Sequence, residues 1–220
     1  MKPVIIFGTG HFAEVAHFYL TNDSKFNVAY FTANKEHIVK EKLLDLNIVP
    51  FEDIEIKYPP EKYDMFIAIA YSKIKKVRAE IFQQAKTKGY NLITYVNSKV
   101  IKWGDIDIGE NCFILENVVI QPFVKIGNNV IMWSGNHVGH HSIIGDHCFI
   151  TSHVVVSGNV TIGPYCFLGV NSTIRDGISI ASECVIGAGT VILKNTKQKQ
   201  VYTTKSTILI SKASDELKNL

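Results

Sequence analysis

No stretch of this 220-residue chain is apolar for long enough to span a membrane, so no membrane partner is expected. Nor is there an excess of charge of either sign. The 23 Lys and Arg against 20 Asp and Glu leave a net +3, well interspersed, so the basic stripe that nucleic-acid binding requires is missing. The four cysteines include no Cys-x-x-Cys pair, which removes the usual zinc and redox motifs. The opening residues Met1-Lys2-Pro3-Val4 lead directly into a strand pattern without the layout of a secretory signal, and the expectation is a cytoplasmic protein with free thiols. No low-complexity linker is present either. With 46% hydrophobic residues the chain can bury a substantial core in one or two domains.

What is there is a ruler. Ile-Gly recurs at 108–109, 126–127, 144–145 and 162–163, each pair 18 residues after the last, and Cys112, Cys148, Cys166 and Cys184 stand whole multiples of 18 apart. Within that period runs a finer one of six: from Ile108 to Ile192 every sixth residue is Ile, Val, Leu or Met. Six is neither a helical nor an alternating-strand period. The chain must turn a corner at each hexad, and three hexads make one coil of a triangular parallel β-helix. About five coils are expected, with equivalent residues one strand spacing (about 4.8 Å) apart.

The remaining slots suit that geometry. Glycines such as Gly109, Gly127 and Gly145 follow the inward aliphatic, and Asn111, Asn117, Asn129, Asn159, Asn171 and Asn195 come two later. Both sets read as corner residues tolerant of left-handed dihedrals. The cysteines take the narrow slot two before the aliphatic and read as small buried hydrophobes.

The first ninety-odd residues differ. Strand patterns at 2–7, 26–31, 48–50, 65–70 and 91–95 alternate with helical patterns at 11–20, 36–46 and 74–88, which argues for a small parallel sheet covered by helices. Such sheets bind anionic ligands at the carboxyl ends of their strands, where a turn and a helix N-terminus present N–H groups. Gly8-Thr9-Gly10 is the candidate turn. It lacks the third glycine of a dinucleotide site, and Thr32-Ala33-Asn34 ends the second strand where an acid would be needed, so a full NAD site is not expected. Ala70-Tyr71-Ser72-Lys73 would face the turn, and one nucleotide would fit between them; ordinary tight turns are the alternative.

Five of the eight histidines fall between His137 and His153. The 18-residue ruler sorts them: His140 shares a column with Pro122, Gly158, Asp176 and Lys194, and His153 with Gly135, Asn171 and Gly189. An imidazole one strand spacing from a glycine N–H is what acyl transfer to an amine needs. His140 would take the proton from the attacking nitrogen, and the Gly158 N–H would hold the oxyanion. Either His141 or a main-chain carbonyl would orient the base. His137 is read as lining a flat face toward substrate, His147 as a solvated corner, and Trp133 and Phe149 as packing at a subunit contact.

The hexad run with Ile-Gly in successive coils, preceded by a small α/β unit opening on a glycine turn, resembles the left-handed β-helix sugar N-acyltransferases. Within them it resembles the bacillosamine, perosamine and viosamine branch, with the sialic acid O-acetyltransferases as near relatives. That likeness spans nearly the whole chain and is carried most specifically by the hexads and by Ser134-Gly135-Asn136-His137-Val138-Gly139-His140-His141. It implies an α/β plus all-β chain: a Rossmann-like nucleotide-sugar-binding unit over 1–97, a left-handed parallel β-helix over 98–196, and a strand and short helix capping its end over 197–220. It implies a base at His140 and an oxyanion donor at Gly158. Acetyl-CoA or a 3-hydroxyacyl-CoA would be cosubstrate without a metal, and a nucleotide-linked amino sugar the acceptor for surface-glycan synthesis, in a homotrimer. Coenzyme A would run past Ser152, Gly169, Gly187 and Ala188 toward Lys194. The sugar nucleotide would meet Gly8, Thr9, Gly10, Thr32, Ala70, Tyr71, Lys73 and His137. Apolar residues on the flat faces, among them Phe113, Ile131, Ile143, Phe149 and Phe167, would support the oligomer.

Two departures stand out: His141 replaces the acid that follows the base in relatives, and the first turn continues His11-Phe12 where many relatives have a further glycine and histidine. Rival readings are a sugar O-acetyltransferase, a zinc-dependent β-helix using His137, His141 and a histidine of a neighbouring copy, and a nucleotide-sugar-binding trimer without catalysis.

Overall fold

The computed structural model describes residues 1–70 and 76–205. In the first part, β1 (Val4–Phe7) is wholly buried at the centre of a sheet. It pairs in parallel with β2 (Val28–Ala33) on one side and β5 (Asp64–Ile67) on the other, while β4 (Leu46–Pro50) extends the sheet beside β2. Its side chains alternate as a strand's must. Val4 and Ile6 face α1 (His11–Asn22), and Ile5 and Phe7 face the layer built from α2 (Ile54–Lys57) and α3 (Lys76–Thr87).

The helix expected over 36–46 does not form. A single 3-10 turn, Lys35–His37, gives way to a hairpin in which β3 (Lys42–Leu43) pairs antiparallel with β4. Leu44 and Asp45 both have positive φ (48° and 64°), the backbone of a two-residue hairpin turn. The apparent helical stripe is not a buried face, since Val39 is 91% exposed and only Leu43 of its leucines is buried. The segment 91–95 is also less than a strand of this sheet: Leu92 makes a single bridge to Met65, and Tyr95–Val96 pairs instead with Phe113–Ile114. The chain thus passes from sheet to prism without losing its pairing.

From there it winds as a three-sided prism. Face I carries Ile101–Lys102 to Val191–Ile192, face II Asp107–Ile108 to Ser179–Ile180, and face III Tyr95–Val96 to Val201–Tyr202, all strands parallel. Successive rungs are 18 residues apart, as at Ile131↔Phe149 and His137↔Val155; the last, Val185↔Val201, is shortened as the hexad pattern ends. The strand expected in the 197–220 cap therefore begins at Val201–Tyr202, and the expected short helix after it lies outside the described residues.

From Asp107–Ile108 to Val191–Ile192 the second residue of each strand turns inward to a continuous aliphatic core, joined by all four cysteines. Each thiol reaches a carbonyl of the next coil, Cys112 Sγ to Gly127 O at 3.1 Å and Cys166 Sγ to Ala181 O at 3.2 Å. Burial pushes the Cys112 thiol up to about 12, so it is a packing group with a weak donor and not a nucleophile.

Corner geometry corrects the reading of the glycines. The left-handed position is the third after the inward aliphatic, occupied by Asn111, Asn117, Asn129, Asn159 and Asn171 as expected but also by Phe123, Tyr165 and three histidines, His141, His147 and His153. Histidine joins asparagine among the side chains enriched in that region. Asn195 is not left-handed. The glycines directly after the aliphatic have ordinary φ and serve close approach instead: a Cβ on Gly145 would lie 2.7 Å from Pro164 N and 2.9 Å from the Gly163 carbonyl carbon.

The α/β unit lies against face III. Phe113 there is fully buried, in ring contact with Phe12 (5.5 Å), Phe66 (5.4 Å) and Tyr19 (5.9 Å). Trp133 packs on Phe12 at 6.1 Å, and Phe149 is buried in the same cluster. These residues, expected at a subunit contact, are therefore covered by their own chain, because the aromatic stripe of one prism face matches the apolar underside of the sheet. Polar clamps complete the junction. Asn111 Oδ1 accepts the Ile67 N–H at 2.7 Å, using a donor on the sheet's edge strand. Arg78 of α3 buries its guanidinium with no carboxylate partner among the described residues. It donates to Asn129 Oδ1 (2.8 Å), to the Asn129 carbonyl, and to the carbonyls of His147 (3.1 Å) and Cys148 (3.2 Å). Burial lowers its pKa to about 10, still charged at neutral pH. Arg78→Leu leaves these acceptors unpaired and is expected to cost about 3 kcal/mol in denaturant unfolding. A loss below about 1 kcal/mol would show that the clamp contributes little.

Candidate active site

His140 sits on the edge where face I turns into face II, the vertex opposite the covered face III. Its position is set at both ends. The main-chain N–H donates to Gln121 Oε1 at 2.8 Å, and the carbonyl accepts the Asn159 N–H at 2.8 Å. The imidazole Nδ1 meets His141 Nδ1 at 3.2 Å, with the rings nearly perpendicular at 84°. His141 can reach back because its backbone is left-handed (φ 59°), and its ring is supported by Phe123 at 4.6 Å. Of two neutral imidazoles in Nδ1 contact one must donate. The arrangement that leaves His140 Nε2 free to accept a proton has His140 Nδ1–H donating to His141. Of the two groups expected to orient the base, His141 or a main-chain carbonyl, His141 is the one in contact with its Nδ1.

His140 Nε2 lies over Gly158, 2.7 Å from where a Cβ on that glycine would be. The glycine is what allows the ring to lie there. The Gly158 N–H has no partner among the described residues, while its carbonyl accepts from Gly177 N at 3.0 Å. A base nitrogen therefore lies beside a glycine whose main-chain donor is unpaired, the neighbourhood expected from the 18-residue column. His137 is half-buried and faces outward on face I, on the strand that leads into the same edge. Beside the site, toward the first coils, is a cleft of about 240 Å³ lined by Trp103, Asp105, Gln121, Pro122, Phe123 and Lys125.

Other expected residues are dispersed. Gly8 (φ 131°) ends β1, and a Cβ there would stand 2.6 Å from Ala68 O, so the turn needs glycine. Gly10 caps α1 with its carbonyl, and Thr9 and half-buried Ala70 flank the strand ends. Thr32 is fully buried and donates to Val49 O at 2.7 Å; it holds the sheet together and presents no surface to a ligand. Tyr71 and Lys73 lie outside the described residues. Ser152, Gly169, Gly187 and Ala188 lie along the edge between faces III and I, and Gly169 is buried against Ala188 N. Lys194 is exposed in the His140 column, a full prism face away from those four. One chain cannot line a single groove with all five.

His147, expected to be solvated, is enclosed: Asn129 Nδ2 reaches its Nδ1 at 2.9 Å, Tyr165 stacks on it at 4.7 Å, and burial lowers its pKa. It lines a separate cleft of about 550 Å³ against α3. Nothing in the sequence distinguished His147 from His141, because both occupy the same left-handed slot on different edges. Among the described residues no three His, Cys, Asp or Glu side chains converge as a metal centre would require, and no helix is long and apolar enough to cross a membrane.

Known proteins share the fold. Residues 105–139 match the family described as bacterial transferase hexapeptide (six repeats), and residues 159–194 the hexapeptide repeat of succinyl-transferase. Both matches lie within the prism. Its whole fold is similar to that of PerB from Caulobacter crescentus, solved with CoA and GDP-perosamine (21% identity, 92% of each chain, TM-score 0.79). It is also similar to the acetyltransferase domain of PglB from Neisseria gonorrhoeae, solved with acetyl coenzyme A (18% identity, 91% of this chain and 95% of that one, TM-score 0.78). WeeI from Acinetobacter baumannii is a third (18% identity, 87% and 96%, TM-score 0.66). The hexapeptide prism is accordingly the left-handed β-helix of these proteins, preceded by the same kind of α/β unit.

Proposed function

We propose that the chain is an acyl-CoA-dependent N-acyltransferase whose acceptor is the amino group of a nucleotide-linked sugar. The observation that carries this reading is His140 Nε2 poised over Gly158, whose N–H is open. The amine nitrogen attacks the thioester carbonyl, the N–C bond forms, and the oxygen charge is met by the Gly158 N–H. His140 takes the proton from nitrogen and returns it to the departing sulfur as the C–S bond breaks. No covalent enzyme intermediate is needed. His141 holds the tautomer. That PerB was solved with CoA and GDP-perosamine, and the PglB domain with acetyl coenzyme A, supports both substrate classes.

The division of labour follows the fold. Residues 1–97 would hold the sugar nucleotide at Gly8, Thr9 and Gly10, and 98–196 would carry the chemistry. Face III separates a chain's own glycine turn from its own His140 by the width of the prism, roughly 15 Å for sides of about six residues. The sugar must therefore reach His140 from another copy's α/β unit, which is the reason for a homotrimer. The partly exposed Ile143 and Val155 on faces II and I, with Phe123 at their edge, are the apolar surface available for it. A cytoplasmic setting, where acyl-CoA and sugar nucleotides meet, and a role in bacterial surface-glycan synthesis belong to the same reading. Incubation with acetyl- or 3-hydroxyacyl-CoA and a panel of dTDP-, UDP- and GDP-linked amino sugars is expected to release thiol and yield an acylated nucleotide sugar by mass spectrometry. Release of thiol with no pair would refute it.

A further inference from the structure

In the slot two after the inward aliphatic, two side chains of this prism reach back to cap the preceding coil. Asn128 Oδ1 accepts the Glu110 N–H at 2.9 Å, and Asp146 Oδ1 the Asn128 N–H at 2.6 Å. Asp176 occupies the same slot one coil beyond Gly158, and there the cap is not made. The Gly158 N–H stays open, and Asp176 Oδ2 stands 2.9 Å from the point where a Gly158 Cβ would be, the point that His140 Nε2 approaches to 2.7 Å. Asp176 has no ion pair among the described residues. Arg175 beside it is turned to the Leu193 carbonyl (3.2 Å), and Lys194, next in the column, is not within pairing distance. A carboxylate and a base nitrogen thus face one small volume, beside a glycine whose N–H is unpaired.

That combination suits one kind of acceptor. Attack by an amine passes through an intermediate with a cationic nitrogen and an anionic oxygen, so a carboxylate on one side and an N–H on the other complement both charges. An aliphatic amine also arrives largely protonated near neutral pH. A hydroxyl acceptor brings no positive charge, and the same carboxylate would repel its oxyanion. Resting on the transferase reading above, we infer that Asp176 contacts the acceptor nitrogen and selects an amine over a hydroxyl. Of the two protons the ammonium loses, one goes to solvent and the other passes through His140 to sulfur.

Asp176→Asn and Asp176→Glu in the full chain test this. The readouts are KM for a nucleotide-linked amino sugar and the inhibition constant of the same sugar with hydroxyl in place of the amine. The inference expects Asp176→Asn to raise KM for the amine about tenfold or more, with partial recovery in Asp176→Glu and an unchanged inhibition constant for the hydroxyl analogue. An unchanged KM, or equal losses for both compounds, overturns the role of Asp176 while leaving the transferase reading intact. If the wild-type chain acylates no amino sugar, that reading fails and this one falls with it.

Discussion

His140→Ala is expected to lower turnover by about 10²–10⁴-fold, the range for loss of a general base, while folding and the oligomer survive. Both parts follow from position. The imidazole is on an exposed edge, and what it gives the fold comes from its backbone, whose N–H and carbonyl pair with Gln121 Oε1 and Asn159 N. Removing the side chain leaves those bonds, the inward Val138 and the core untouched. Thermal unfolding and size-exclusion mass should match wild type, and coenzyme A should still bind. Retention of more than about a tenth of wild-type turnover would remove His140 from the reaction and with it the acyl-transfer chemistry assigned to this edge.

The prism was legible in the sequence because its constraint is local and repeated: every sixth side chain must enter a core too narrow for anything but an aliphatic. The same ruler placed Gly158 beside His140, since residues 18 apart are neighbours in any such coil. What escaped it was set by contacts distant in sequence. Nothing within the hexads says that face III would be covered by the chain's own sheet, because the match lies between Phe113, Ile131 and Phe149 and residues about a hundred positions earlier, Phe12 and Tyr19 among them. Arg78 gave no signal as one more basic residue on a helix; only the carbonyls of Asn129, His147 and Cys148 make it a clamp. The stretch 36–46 failed for the opposite reason. Its leucines are spaced like a helix, but a two-residue turn with no glycine or asparagine at either position, Leu44-Asp45, folds them into a hairpin. Gln121 and Phe123, which brace His140 and His141, were unreadable because their roles depend on which edge the left-handed corner faces.

Two glycines separate the site from the scaffold. A Cβ on Gly139 would stand 2.5 Å from Gly158 N and 2.5 Å from the Ser157 carbonyl carbon, main-chain atoms of the next coil. Those atoms cannot move without opening the rungs, so Gly139→Ala is expected to destabilise the fold by about 1–3 kcal/mol. The three atoms nearest a Cβ on Gly158 would all be side-chain atoms, His140 Nε2 at 2.7 Å, Cε1 at 2.8 Å and Asp176 Oδ2 at 2.9 Å, and its φ is not left-handed. Both side chains can swing away from an exposed edge, so Gly158→Ala should fold with nearly unchanged thermal stability. The base and the carboxylate would then be displaced by about an ångström, and the added methyl would crowd the volume beside the open N–H. A misplacement of that size costs on the order of 10² in rate, so turnover should fall at least a hundredfold while CoA affinity holds. Wild-type turnover in Gly158→Ala would mean that the reacting carbonyl is not held over this glycine, and a large drop in its melting temperature would mean that Gly158 serves the coil as Gly139 does.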